Sequence, residues 1–322
     1  MNIMLARDVI QRVRQIQIRT GRQVADVLAG EYVSVFKGTG VEFDEVRPYI
    51  PGDDVRTIDW NVTARTGTPF VKRYVEERQL TVMLLVDVSA SQDFGSGQRS
   101  KLEATAELAA LLAFSAIHND DKVGLTLFHG GIEQYIPPRR GQKHVLRVIR
   151  EILTHGSDRR NAAPPPAPER RFGLRLRKRH PRRPEQATDI TAALEFLMRS
   201  AKRKTVCFVV SDFFDDAYES AMRTANRRHD VIAVQIIDPR ERSVPNVGLL
   251  SLTDPETGAN MLVDTGSNRF RKAFEAGSHQ RTAALQSAFR SSGIDFIRID
   301  TDEPVADPIV RFFRQRERRM RR

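Results

Sequence analysis

Asp87, Ser89 and Ser91 follow an almost fully apolar run in the stretch TVMLLVDVSAS, residues 81–91. One carboxylate and two hydroxyls delivered to one point make an oxygen-only donor set. Such a set suits a hard divalent cation: Mg2+ first, with Mn2+ or Ca2+ as relatives. The same residue types recur at two later places. Thr188 and Asp189 stand in ATDITAALEFL, and Ser211 and Asp212 end the apolar run VCFVV. Each position also has a plainer reading, because Ser, Thr and Asp are favoured helix N-caps. An isolated DxSxS string carries little weight. It gains force from following a buried run, with the two later groups at matching element boundaries.

Other chemistry is thinly supplied. The seven histidines, at 118, 129, 144, 155, 180, 229 and 279, include no pair at helix-face ligand spacing, which argues against zinc. There is no Gly-rich phosphate loop and no nucleophile paired with a histidine base. A Mg2+-dependent phosphoester hydrolase is the enzymatic alternative, since clustered carboxylates and a cation activate water. It would have to draw on Asp215 and Asp216 besides Asp87 and Asp212. The expectation is a non-enzymatic module.

The elements that must carry these residues alternate. Apolar runs at 81–87, 122–128, 204–212, 230–238 and 294–300 read as buried strands. Helical spacing fills 100–118, 142–153, 188–202, 216–228 and 268–291. The stretch 69–77 alternates like an edge strand, 132–137 pairs beside 122–128, and 248–264 reads as a hairpin. Residues 4–29 have helical spacing with a break near Gly21. Strands alternating with helices predict an α/β fold, a doubly wound, mostly parallel sheet with helices on both faces. Right-handed crossovers then bring the strand carboxyl ends to one edge, where such folds place their sites. The predicted organisation is an N-terminal helical and β lobe (1–78), the α/β domain (79–303) and a basic C-terminal tail (304–322).

Charge is concentrated rather than spread. The chain of 322 residues carries a net +11, yet residues 157–185 hold ten Lys/Arg against three Asp/Glu. Residues 311–322 hold seven Arg against one Glu. The rest is close to neutral, so the basic character belongs to two appendages. The Pro/Arg-rich insertion at 157–186 and the tail at 311–322 suit non-specific contact with nucleic acid or an acidic membrane. Phe172 is the lone aromatic of the insertion, which speaks against base stacking. The single cysteine, Cys207, reads as a small buried hydrophobe and fits a reducing cytosol. Without a leader pattern or a run of about 18 apolar residues, the expectation is a cytoplasmic protein, with peripheral contact at the inner membrane open to its basic segments.

With these residues in place the chain resembles two known patterns. Asp87, Ser89 and Ser91, with Thr188 and Asp212 later, look like the metal-ion-dependent adhesion site of von Willebrand factor A domains. That resemblance implies direct metal contact by Ser89 and Ser91. It implies contact by Thr188, direct or on opening and closing of the site, and action largely through water for Asp87 and Asp212. A remaining position would take an acidic residue of a partner. The segment 38–78 resembles the signature of bacterial domain-of-unknown-function family 58, carried by Glu42–Phe43, Arg47, Gly52–Asp53–Asp54, Arg56, Asp59–Trp60 and Ala64–Arg65. The likeness spans about residues 20–300, and the insertion departs from it. It implies a MoxR-type AAA+ ATPase as partner, with an acidic-residue-bearing client. The alternating acids and bases of the signature predict a hydrogen-bonded network packing a small lobe on the sheet with Trp60 as apolar anchor, or else a partner contact.

Overall fold

In a computed structural model of the protein, residues 41–76, 79–161, 188–215, 218–253 and 260–320 are described, with Val13, Gln15 and Ile16. The first described unit is a small lobe. Strand β1 (Val41–Pro48) pairs antiparallel with β2 (Phe70–Glu76), and α1 (Trp60–Thr66) lies between them in the chain. Asp59 caps α1 by accepting from the Asn61 and Val62 N–H groups, and Gly67 ends it in the left-handed region at φ 77°. Asp54 caps a short turn at Val55–Thr57 by accepting from Arg56 N. The Arg47 guanidinium meets both oxygens of Asp53 at 2.8 and 2.6 Å, and Lys72 lies 3.5 Å from Asp59.

The signature charges are therefore caps and one forked ion pair. Trp60 does not anchor the lobe: it is 69% exposed, and Ile50 and Val55 face solvent with it. The helix-start position aims its ring outward, which the composition of the segment does not reveal. Arg56 and Arg65 are exposed, and the side chain of Glu42 lies outside the described residues. Strand β2, expected at a sheet edge, belongs to this separate two-stranded ribbon.

The rest of the chain builds one sheet with helices on both sides. In order come β3 (Thr81–Asp87), α2 (Lys101–His118), β4 (Lys122–Phe128), β5 (Ile132–Arg139) and α3 (Gln142–Asn161). There follow α4 (Ile190–Ser200), β6 (Val206–Ser211), α5 (Glu219–Arg228), β7 (Asp230–Ile237) and the single helical turn α6 (Pro239–Arg242). The hairpin β8 (Leu249–Thr253) and β9 (Asn260–Asp264), α7 (Asn268–Ser291), β10 (Asp295–Asp300) and α8 (Ala306–Met320) complete it. The six-stranded sheet runs β10-β7-β6-β3-β4-β5, parallel throughout except for β5. The hairpin forms its own small sheet.

Burial on both faces explains the unbroken apolar strands. Val82, Leu84 and Val86 of β3 pack with α2, α3 and α8, while Met83 and Leu85 pack with α4, α5 and the end of α7. Val13 and Ile16 join the first of these clusters. Each fully buried Val or Leu contributes roughly 1.5–3 kcal/mol. From β3 the chain moves outward through β4 and β5, then crosses back to β6 on the other side of β3. The order of strands thus reverses between β3 and β6, and their carboxyl ends flank the crevice of a doubly wound sheet.

The last segment corrects an expectation. Residues 304–322 are not a solvated appendage across their described part. They form α8, whose Ile309, Phe312 and Phe313 are buried in the core. Arg316 pairs with Asp230 and Asp295, and Arg319 with Asp295. The arginine excess masks an apolar period of Val305, Ile309 and Phe312–Phe313. The basic insertion falls almost wholly outside the described residues.

Candidate metal centre

β3 ends in Asp87, whose side chain is 1% exposed. One carboxylate oxygen accepts from Ser89 N at 2.8 Å, folding the chain back on itself, and the other accepts from the Ser211 hydroxyl at 2.7 Å. Ser211 is the last residue of β6, so this bond ties the ends of the two switch-point strands together. Ser91 donates to Asp212 Oδ2 at 2.7 Å, and the Ser89 and Ser91 hydroxyl oxygens lie 2.9 Å apart. Four of the five expected residues are thus linked by hydrogen bonds. Thr188 is half-buried just ahead of α4 on the same edge. Its neighbours fix that position: Asp189 N donates to His129 O at the end of β4, and Ile190 N donates to Asp215 after β6. Among the described contacts Thr188 itself is not hydrogen-bonded into the cluster.

Lys101, Glu241 and the tie through Ser211 were not foreseen. Lys101, the first residue of α2, is fully buried, and its ammonium lies 3.0 Å from Asp212 and 2.7 Å from Glu241. The signal available was the capping box Ser100–Glu103, which fixes where α2 begins. That box does not reveal a buried amine, because the lysine's partners lie 111 and 140 residues along the chain.

The electrostatics are uneven. Burial, then the nearby Asp212 charge, pushes Asp87 up to about 7, against the Ser89 and Ser211 hydrogen bonds. Burial of Lys101 opposes its charge, but Asp212 and Glu241 outweigh it and hold the ammonium above the usual lysine range. The Asp87 and Asp212 carboxylates and the Lys101 ammonium therefore share a buried crevice in which no described residue gives Asp87 a cationic partner of its own.

The donor chemistry fits a hard divalent ion. Adjacent oxygen ligands stand about 2.8–2.9 Å apart around octahedral Mg2+ and in the equatorial plane of a seven-coordinate Ca2+ alike. The Ser89–Ser91 spacing of 2.9 Å, that of a hydrogen bond between the two hydroxyls, is compatible with either ion. Both carboxylates are already aimed at hydroxyl hydrogens, which leaves hydroxyl lone pairs for a cation. Among the described residues no three His, Cys, Asp or Glu are grouped to hold a metal, so hydroxyls must do much of the work.

A second strand-end aspartate lies nearby and behaves differently. Asp238, buried after β7, accepts from Ser96 N and Oγ, Arg240 N and Thr301 Oγ1. Burial works to raise its pKa, yet the Ser96 hydroxyl and N–H, Arg240 N–H and Thr301 hydroxyl bring it below the ordinary range.

Similarity to known proteins runs along most of the chain. The family model described as protein of unknown function DUF58 matches residues 45–284. An uncharacterized protein of Mycobacterium tuberculosis (strain ATCC 25618 / H37Rv) is 29% identical over 309 residues, 95% of this chain and 89% of the relative. An uncharacterized protein of Mycobacterium bovis matches to the same extent. Among solved structures, an aerotolerance-related membrane protein from Bacteroides fragilis aligns with TM-score 0.42 and 17% identity, over 75% of this chain and 100% of that one. The conserved hypothetical protein BatB from Bacteroides thetaiotaomicron aligns at 0.41 and 16%, over 74% and 99%. The SpRpn10 VWA domain aligns at 0.36 and 12%, over 72% and 94%.

Proposed function

The chain belongs to the DUF58 family of unknown function, and from the crevice of its doubly wound α/β sheet we propose a metal-dependent protein-interaction module. The carrying observation is the pair of hydroxyls 2.9 Å apart at the switch point, backed by two buried carboxylates. In this reading Ser89, Ser91 and Thr188 supply hydroxyl oxygens, while Asp87 and Asp212 orient them and balance charge. A divalent cation held there, Mg2+ by the expectation for hard oxygen donors, would supply a Lewis-acidic position for a carboxylate of a partner. The family resemblance suggests a MoxR-type AAA+ ATPase acting with an acidic client.

Among the described residues of the crevice, the Ser91 and Ser211 hydroxyls are tied to Asp212 and Asp87, and the Lys101 amine is held by two carboxylates. That supports binding over turnover. The signature lobe supports it too, because Ile50, Val55 and Trp60 are each exposed there, apolar side chains of the kind that partners cover. No helix among the described residues is long and apolar enough to cross a membrane.

The test is capture of a purified MoxR-type ATPase by the intact protein, with Asp87→Ala and Ser89→Ala variants and with EDTA. Capture lost in all three supports the reading. Capture unchanged in both variants, or unchanged in EDTA, contradicts it. A Mg2+-dependent phosphoesterase activity abolished by Asp212→Ala would replace it with the hydrolase alternative.

A further inference from the structure

Lysine is poorly suited to full burial, because its ammonium surrenders a strong hydration shell. The first turn of a helix is also the wrong place for a cation, since the helix dipole is positive there. Lys101 meets both conditions: it opens α2 and is 0% exposed. Among the described residues, the carboxylates of Asp212 and Glu241 offset these costs.

The position of this charge matters for the crevice. Lys101 Nζ and Ser91 Oγ both contact Asp212 Oδ2, at 3.0 and 2.7 Å, so they lie within 5.7 Å of each other. A cation seated on the Ser89 and Ser91 hydroxyls therefore meets a fixed positive charge a few ångströms away in a low-dielectric setting. It also meets an Asp212 whose charge is already shared. Glu241 sits on the other side of the ammonium, on α6, with one oxygen on Lys101 and the other accepting from Asp238 N. Removing the charge of Glu241 would leave Lys101 to press on Asp212 alone.

We propose that Lys101 is an internal counter-cation that lowers the affinity of the Ser89–Ser91–Asp212 site for divalent metal, with Glu241 limiting that effect by sharing its ammonium. The proposal rests on the metal reading above. It makes the site one that releases its ion readily until a further carboxylate arrives to add negative charge. Lys101 and Glu241 are thus positioning residues for charge, not ligands.

The experiment is calorimetric titration of Mg2+ into the full chain, with thermal midpoints measured with and without Mg2+. Lys101→Met keeps the length of the aliphatic stem and removes the charge. It is expected to bind Mg2+ at least about tenfold more tightly than the unaltered chain. Its midpoint falls without metal and recovers further with it. Glu241→Gln, altering a partly exposed side chain, is expected to bind Mg2+ about threefold or more weakly. Binding by Lys101→Met equal to or weaker than the unaltered chain overturns the proposal while leaving the metal reading intact. Where Lys101→Met does not fold without metal, Glu241→Gln decides, and unchanged or tighter binding overturns it. Absence of Mg2+ uptake by all three at millimolar concentration defeats the metal reading and this proposal together.

Discussion

Asp87 and Asp238 are both buried aspartates at the carboxyl ends of parallel strands, two strands apart in the same sheet. Asp238 accepts four hydrogen bonds from a loop, a helical turn and a neighbouring strand end, and its pKa is lowered. Asp87 accepts two, faces a second carboxylate, and is pushed up to about 7. Burial alone does not set the state of either carboxylate; the groups facing it do. A carboxylate surrounded by donors is a structural tie, and one left facing another carboxylate is a place where positive charge is wanted. Glu241 touches both sites, bonding to Lys101 with one oxygen and to Asp238 N with the other.

Loss of the Asp238 carboxylate should have the largest effect on stability. Asp238→Ala leaves four donors without their acceptor in a buried place and should cost about 3 kcal/mol or more. Urea unfolding checks this, and Mg2+ affinity should be nearly unaffected.

The next largest effect should carry the opposite sign. Asp87→Asn mimics the protonated acid, so in EDTA above pH 7 it should stabilise the protein by at least about 1 kcal/mol. The sign follows from linkage. A carboxyl raised in the folded state binds its proton more tightly than in the unfolded chain, so stability falls as pH rises from about 4 to about 7. The gain from Asp87→Asn should therefore vanish towards pH 4. Asp238 runs the other way: its contribution is present above the ordinary carboxylate range and is lost as pH falls through its lowered folded value. Denaturation of Asp87→Asn and Asp238→Asn beside the unaltered chain, from pH 3 to 8, should show the two gaps opening in opposite directions.

The smallest effect lies outside both sites. Trp60→Ala should change stability by no more than about 0.5 kcal/mol, because the ring is already exposed. It should nonetheless reduce ATPase capture, and a pull-down beside a melting curve separates the two outcomes.

Much of this was legible in the sequence. The unbroken apolar run of residues 81–87 announced a strand buried on both faces, and the alternation of strands and helices gave the doubly wound sheet. Asp87, Ser89, Ser91 and Asp212 were identifiable because each follows such a run. Trp60, Lys101 and α8 were misread or missed for one shared reason. Residue type predicts average exposure, but exposure at a given position is set by partners distant in sequence. An exposed tryptophan and a buried lysine each invert the average, and the arginines of α8 hide Phe312 and Phe313. Asp238 carried no motif, because three of its four donors come from residues 96 and 301.

The crevice at Asp87 is the proposed seat of a divalent cation, whereas the carboxylate at Asp238 is already satisfied by four donors. Calorimetric titration of Mg2+ into the unaltered chain, Ser91→Ala and Ser96→Ala tests it directly, since each variant removes one hydroxyl from one aspartate site. The expected result is one saturable binding event that Ser91→Ala abolishes and Ser96→Ala retains. Equal binding by Ser91→Ala and the unaltered chain, or loss of binding only in Ser96→Ala, would contradict it.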